Sequence, residues 1–127
     1  MTDMVLLALA NHTDRADVAE AIDKAVGCLS EIQDADGGYT SYGMMSAESC
    51  AQVILALNKL GIPLDDERFI KGGNTIMDKL LEYRTEEGGF SHIMGEATNG
   101  VATEQAMIAL ISTLRVNAGM SDIFSIE

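Results

Sequence analysis

The sequence predicts an all-α fold in which helical hairpins repeat. Its 127 residues are 47% apolar and 5% aromatic, with one proline, no tryptophan and eight methionines. This length suits one domain with a hydrophobic core, and the apolar content excludes a disordered chain. Two kinds of predicted helix alternate along the chain, and one loop-and-helix pattern occurs twice. Together these observations favour the all-α class.

The first two predicted helices differ in kind. Residues 3–10, DMVLLALA, are apolar nearly all round and end at a polar break over residues 11–14. Thr13 or Asp14 can cap the next helix, because a short side-chain oxygen accepts hydrogen bonds from free N–H groups. Residues 15–33 then carry one apolar stripe at helical spacing, formed by Val18, Ile22, Ala25, Val26, Leu29 and Ile32. We therefore expect an amphipathic helix with one buried face over 15–33.

The third predicted helix covers residues 47–60, AESCAQVILALNKL. Its apolar side chains leave no wide polar face, so the helix must be buried on most sides. Gly61 fits the position just after a helix end, and Pro63 prevents the helix from resuming.

The second half of the chain repeats this alternation. Residues 65–69 predict a polar turn or short helix, and residues 74–83 an amphipathic helix. Residues 101–115, VATEQAMIALISTLR, are again nearly all apolar, and the tail that follows them is weakly structured by sequence. Buried helices alternating with one-faced helices suggest two concentric layers. The order favours an α/α solenoid or toroid over a four-helix bundle, whose helices would all be of one kind.

An internal repeat supports this architecture. Residues 31–40, EIQDADGGYT, align with residues 82–91, EYRTEEGGFS, at an offset of 51. Residues 52–57, QVILAL, align with residues 105–110, QAMIAL, at an offset of 53. Two further loop residues account for the difference, and the period fits one helical hairpin per repeat. We place the repeats at about 15–60 and 66–115.

The shared loop has a physical interpretation. Paired glycines permit positive φ and a close backbone approach where a helix ends. An aromatic side chain after them can then turn back as an apolar plug between the layers. The predicted structural motif consists of Gln33, Gly37, Gly38 and Tyr39 in the first copy and of Gly88, Gly89 and Phe90 in the second.

The spacing of Gln33, Gly37 and Tyr39 resembles the Q-x-x-x-G-x-W repeat of the squalene cyclase and protein prenyltransferase superfamily. Tyrosine replaces tryptophan here, and Arg84 stands where the second copy should have glutamine. The resemblance covers roughly residues 15–115 and implies an α/α toroid with the fully apolar helices in its inner ring. The segments AESCAQVILALNKLGI and NGVATEQAMIALIS are similar to bacterial surface proteins with prenyltransferase-like repeats. Such repeats are also similar to the helical domain of intrinsic factor and transcobalamin.

The chain departs from the enzymes of this superfamily. It lacks the D-x-D-D acid motif of squalene cyclases, and Cys50 lies in an apolar helix without the Asp and His that hold zinc in prenyltransferases. A complete ring needs roughly twice this length. About five to six helices over residues 1–127 therefore predict a single partial toroid, which we interpret as a fragment of a longer chain.

Charge and hydropathy limit the partners. Eight basic and 20 acidic residues give a net charge of −12, which repels nucleic acid and anionic membrane surfaces. No apolar run reaches the roughly 20 residues needed to span a bilayer. The longest, residues 4–10, lacks the basic flank of a signal peptide. A bacterial cell-surface or extracellular location is implied by the resemblance alone.

No metal or cofactor is predicted. Asp34, Asp36 and Gly37 begin like a calcium loop, but Met45 occupies the position that needs an acid. His12 and His92 lack the spacing of metal ligands. The two cysteines, Cys28 and Cys50, are interpreted as small buried hydrophobic residues.

Polar residues near the helix starts form the candidate binding site. In an inner ring, the first turns of successive helices converge on one rim, where carboxylates can bind cations or sugar hydroxyls, or act as an acid and a base. The alternative is capping, because acids favour the positive end of a helix. The candidates are Glu48, Gln52, Glu104 and Gln105 on the helices and Tyr42, His92 and Asn99 in the loops.

The sequence predicts a non-catalytic binding or protein-interaction module, because no complete catalytic constellation is visible. The alternatives are part of a toroid enzyme acting on an isoprenoid or polysaccharide, and a corrinoid-binding helical domain suggested by fold analogy. The partner is a small molecule, a glycan or a protein. An open arc exposes apolar inner helices, so we also expect a homo-oligomer, or burial against the remainder of the parent chain.

Overall fold

A computed structural model describes residues 16–41 and 44–119, and it confirms the all-α class. Within these two ranges, four helices carry the fold: α1 (Ala16–Ile32), α2 (Ala47–Leu60), α3 (Ile76–Leu81) and α4 (Gly100–Asn117). A 3-10 turn, Glu67–Phe69, precedes α3. Two-residue strands β1 (Thr40–Ser41) and β2 (Met44–Met45) pair antiparallel before α2, a feature that the sequence did not predict. The predicted helix at 3–10 and most of the predicted tail lie outside the described residues.

Helix α2 lies at the centre of the core, as its composition predicts. Nine of its fourteen residues are buried. Its ends have clear local causes. Ser46 caps the start by accepting a hydrogen bond from the Ser49 backbone N–H. Gly61 ends the helix in the left-handed region with φ 74°, and its N–H donates to the Asn58 and Leu57 carbonyls.

Helices α2 and α4 run side by side in the same direction. Gln52 donates to Gln105 near their starts, and Asn58 donates to the Ser112 hydroxyl at 3.1 Å near their ends. Small side chains allow a close approach of the two backbones. The buried stripe of α4 consists of Ala102, Ala106, Ala109 and Ser112, each with no exposed surface.

A smaller part of the α4 surface is buried than its apolar composition predicts. Only that stripe is buried, and large apolar side chains on another face lie in solvent. Val101 is 61% exposed and Leu114 is 68% exposed. The expectation that α4, like α2, is buried on most sides is therefore wrong. Within the described residues, only one side of α4 has a neighbouring helix.

The two glycine turns have the same geometry. Gly37 donates to the Asp34 carbonyl at 3.0 Å, and Gly88 donates to the Thr85 carbonyl at 3.1 Å. Both glycines have positive φ, 94° and 93°. The aromatic side chains that follow, Tyr39 and Phe90, are buried as predicted. The internal repeat is thus a repeat of backbone structure as well as of sequence.

Gln33 joins the first turn to the second repeat. Its amide nitrogen donates to the Gly37 carbonyl at 3.0 Å and to the carbonyl of Phe69, the last residue of the 3-10 turn, at 2.8 Å. Arg84, at the equivalent place, donates instead to the nearby Leu81 carbonyl at 3.1 Å. The substitution of arginine for glutamine therefore replaces a contact between repeats by a local one.

Asp36 ties the same turn to α3. Its carboxylate lies 2.8 Å from the Lys79 ammonium, which is largely buried and also lies 3.4 Å from Glu82. The hydrogen bond from Lys79 lowers the pKa of Asp36, and the same bond raises the pKa of Lys79. This contact explains an acidic residue at a helix C-terminus, where the helix dipole alone disfavours it.

The cysteines differ in environment. Cys50 is fully buried in α2, and desolvation raises the pKa of its thiol to about 11. Cys28 is exposed on α1, so the expectation that both are buried is wrong for this residue. Cys28 lies outside the apolar stripe of α1, whose residues Val26 and Leu29 are buried in the core.

We expect Asp36→Asn to lower the free energy of unfolding by about 1 kcal/mol at neutral pH, since Asp36 is partly solvated. Because the folded-state pKa of Asp36 is lowered, its contribution is present above the unfolded pKa, near 3.8, and is lost as pH falls through the folded value. Urea unfolding should therefore show a larger difference in the free energy of unfolding between the variant and the wild type at about pH 7 than at about pH 3. Glu87→Gln is the matched control, because Glu87 is the exposed residue at the equivalent place in the second turn. Equal destabilisation by both substitutions would contradict a stabilising ion pair between Asp36 and Lys79.

We expect iodoacetamide to label one of the two thiols in the folded protein. Cys28 is accessible, whereas burial and a raised pKa leave little reactive thiolate at Cys50. Intact-protein mass spectrometry should show one label per chain at neutral pH and two in denaturant. Cys28→Ser should abolish native labelling, and rapid labelling of that variant would disprove the burial of Cys50.

Candidate functional site

The first turns of α2 and α4 lie at one end of the helix pair, because the two helices run in the same direction. Their caps are equivalent: Ser46 accepts from the Ser49 backbone N–H at 3.3 Å, and Asn99 accepts from the Ala102 backbone N–H at 2.9 Å. The predicted site residues on these helices therefore share a rim. The segment 90–99 connects the second glycine turn to this rim.

Four of the predicted residues form a continuous row, which we call the rim strip: His92, Glu48, Gln52 and Gln105. The His92 Nδ1 atom lies 2.6 Å from the Glu48 Oε2 atom. Glu48 and Gln52 are one helical turn apart on α2, and Gln52 donates to the Gln105 side-chain oxygen. The strip thus joins a loop, α2 and α4.

The backbone holds the His92 end of the strip in place. The Ala47 backbone N–H donates to the His92 carbonyl at 3.1 Å, so the loop is attached to the first residue of α2. The side chains remain accessible, with 42% of His92 and 21% of Glu48 exposed. A ligand can therefore reach both groups without displacing an element of the core.

The remaining candidates have other positions. Asn99 caps α4, a role that the sequence analysis did not assign to this residue. Glu104 is exposed in the second turn of α4, with no charged partner among the described residues. Tyr42 lies outside the described residues.

The rim strip offers hydrogen bonds and one carboxylate. Glu48 accepts hydrogen bonds, the two amides donate and accept, and the imidazole can do either according to its tautomer. Within 16–41 and 44–119, no group of three or more His, Cys, Asp and Glu side chains could hold a metal ion. The same part of the chain contains no helix long and apolar enough to cross a membrane.

A cleft at the opposite end of the helix pair was not predicted. It measures about 460 Å³ and lies between the loop after α2, the start of α3 and the end of α4. Its lining is mainly apolar and includes Ile62, Pro63, Leu64, Met77 and Val116. In the sequence, Gly61 and Pro63 are helix-stop signals, and only the path of the loop shows that they border a cleft.

The chain matches no known family model, no curated protein and no solved structure.

Proposed function

We propose that this chain is a non-catalytic binding module that contacts its ligand through the rim strip. The observation that supports the proposal is the row of four polar side chains, drawn from a loop and two helices, at one accessible rim. Residues far apart in sequence form this row. Glu48 and His92 are separated by 44 positions and Gln52 and Gln105 by 53.

The chemistry of the strip favours a ligand that carries hydroxyl groups, such as a glycan. Hydroxyls both donate and accept, so they can pair with the Glu48 carboxylate and with the amides of Gln52 and Gln105. A strongly anionic ligand fits poorly, because the chain carries a net charge of −12 and the strip itself has a carboxylate.

The repeated helical hairpins provide a rigid support for such a surface. We propose that they form part of an α/α toroid, as the resemblance of the glycine turns implies. Gln33 and the Asp36–Lys79 pair connect the first repeat to the second and would keep successive rims aligned. By the same resemblance, we propose a bacterial cell-surface or secreted parent protein.

Catalysis is the second candidate because a histidine beside a carboxylate is a common way to orient a general base. The binding function is favoured, since Glu48 is the only carboxylate in the rim strip. Acid–base cleavage of a glycosidic bond uses two carboxyl groups placed across that bond. The test below separates the two candidates.

We expect neutral oligosaccharides, titrated to about 10 mM into ¹⁵N-labelled protein, to shift the amide signals of residues 46–52, 90–93 and 99–105. The probes are cello-, chito- and galacto-oligosaccharides. Glu48→Gln and Gln52→Ala should each weaken binding about five-fold, as expected for the loss of one hydrogen bond. Glu86→Gln, in an exposed loop position, is the control for charge.

The sugar signals in the same samples report turnover. We expect them to remain unchanged over hours, and cleavage that Glu48→Gln abolishes would establish the enzyme instead. No shift at the rim at the highest concentration, or shifts confined to residues 61–65 of the cleft, would contradict the proposed site.

A further inference from the structure

The two glutamines of the rim strip form a hydrogen-bonded pair between α2 and α4. The Gln52 side-chain N–H donates to the Gln105 side-chain oxygen. A glutamine amide also carries a nitrogen with two donors, and that nitrogen of Gln105 makes no hydrogen bond within the part of the chain that the structure describes. Both side chains are half-buried, so the pair presents this donor at the accessible rim.

The preceding turn of the same two helices places an acceptor beside an apolar group. Glu48 precedes Gln52 by four residues, and Val101 precedes Gln105 by four, so each lies on the same helix face as its glutamine. The Glu48 Oε2 atom contacts His92, and its Oε1 atom has no hydrogen-bond partner among the described residues. Val101 is 61% exposed. Because α2 and α4 run in the same direction, Glu48 and Val101 form one row and the two glutamines form the next.

An acetamido group matches these two rows through its two edges. A trans amide has its N–H and its methyl group on one edge and its carbonyl oxygen on the other. The Glu48 carboxylate can accept from the N–H, and Val101 can cover the methyl group. The Gln105 amide nitrogen, one helical turn further along, can then donate to the carbonyl oxygen. A hydroxyl group in the same place would leave Val101 without an apolar contact.

The surroundings of the two rows favour a sugar as the carrier of the acetamido group. Gln52 and His92 can pair with ring hydroxyls next to it. Peptides are usually recognised through a sheet edge or an apolar groove, whereas the rim strip consists of polar side chains on helix turns and one loop. The net charge of −12 and the carboxylate of Glu48 disfavour acidic sugars.

We propose, on the basis of the glycan-binding function above, that the rim strip selects neutral glycans that carry acetamido groups. Gln105 and Val101 are the residues that distinguish an acetamido group from a hydroxyl group, and Val101 thereby joins the site. Binding uses a few exposed contacts, so the dissociation constant should be on the order of millimolar.

The test compares two tetrasaccharides that share the same chain of linked glucose-type rings. Chitotetraose carries an acetamido group where cellotetraose carries a hydroxyl group. In titrations of the ¹⁵N-labelled full chain, chitotetraose should bind about tenfold more tightly than cellotetraose, with amide shifts in residues 46–52 and 99–105. N-acetylglycinamide, which carries the acetamido group without a sugar, should bind at least about tenfold more weakly than chitotetraose.

Two substitutions test the residues that select the acetamido group. Gln105→Glu replaces the donor by an oxygen, while its other oxygen can still accept from Gln52. It should reduce the preference for chitotetraose from about tenfold to about twofold. Val101→Ser should reduce the preference to about threefold, through loss of the apolar contact. Asn117→Asp is the matched control, since it makes the same amide-to-carboxylate change at the exposed far end of α4, and it should keep the full preference.

The outcomes separate the acetamido preference from glycan binding itself. Equal affinity for the two tetrasaccharides, or a preference that Gln105→Glu does not reduce, would overturn the acetamido preference and leave the proposed function standing. If neither tetrasaccharide shifts the rim signals, the proposed function fails and the preference fails with it. N-acetylglycinamide that binds as tightly as chitotetraose would overturn the assignment to glycans and indicate a site for amide groups of peptides.

Discussion

The composition of α2 is the constraint on which the rest of the structure depends. A helix with apolar side chains on nearly every face is stable in water only when other elements surround it. Helices α3 and α4 pack directly on α2, and the buried stripe of α1 belongs to the same core. The caps Ser46 and Gly61 set its length, and the loops on either side must bring its neighbours back to it.

The position of the rim follows from this packing. Because α2 and α4 lie in the same direction with small residues between them, their first turns meet at one end. Each of the two matching glycine turns leads the chain to that end, the first before α2 and the second before α4. Glu48 and Gln52 are placed by the helix, while His92 is placed by the hydrogen bond between its carbonyl and Ala47. The polar row therefore depends on the apolar contacts below it.

Local signals in the sequence were sufficient to predict much of the helical structure. Helix α2 occupies the predicted range 47–60, because its apolar run lies between a clear cap and a clear stop. Helix α3 is shorter than its predicted range 74–83. It ends at Leu81, since the Glu82 N–H donates to the carbonyls of Lys79 and Leu80. Contacts between distant segments were not predictable from local patterns. The pairing of His92 with Glu48 and the exposure of Val101 and Leu114 on α4 depend on which elements become neighbours.

Hydrogen exchange of the backbone amides tests the central position of α2 most directly. The amides of Val53–Leu57 should exchange only through global unfolding, because buried side chains surround them on most sides. The amides of α3 should exchange faster through local opening, since this helix has only six residues and an exposed side. Exchange in the middle of α2 as fast as in α3 would contradict the account and would remove the support for the rim and its strip.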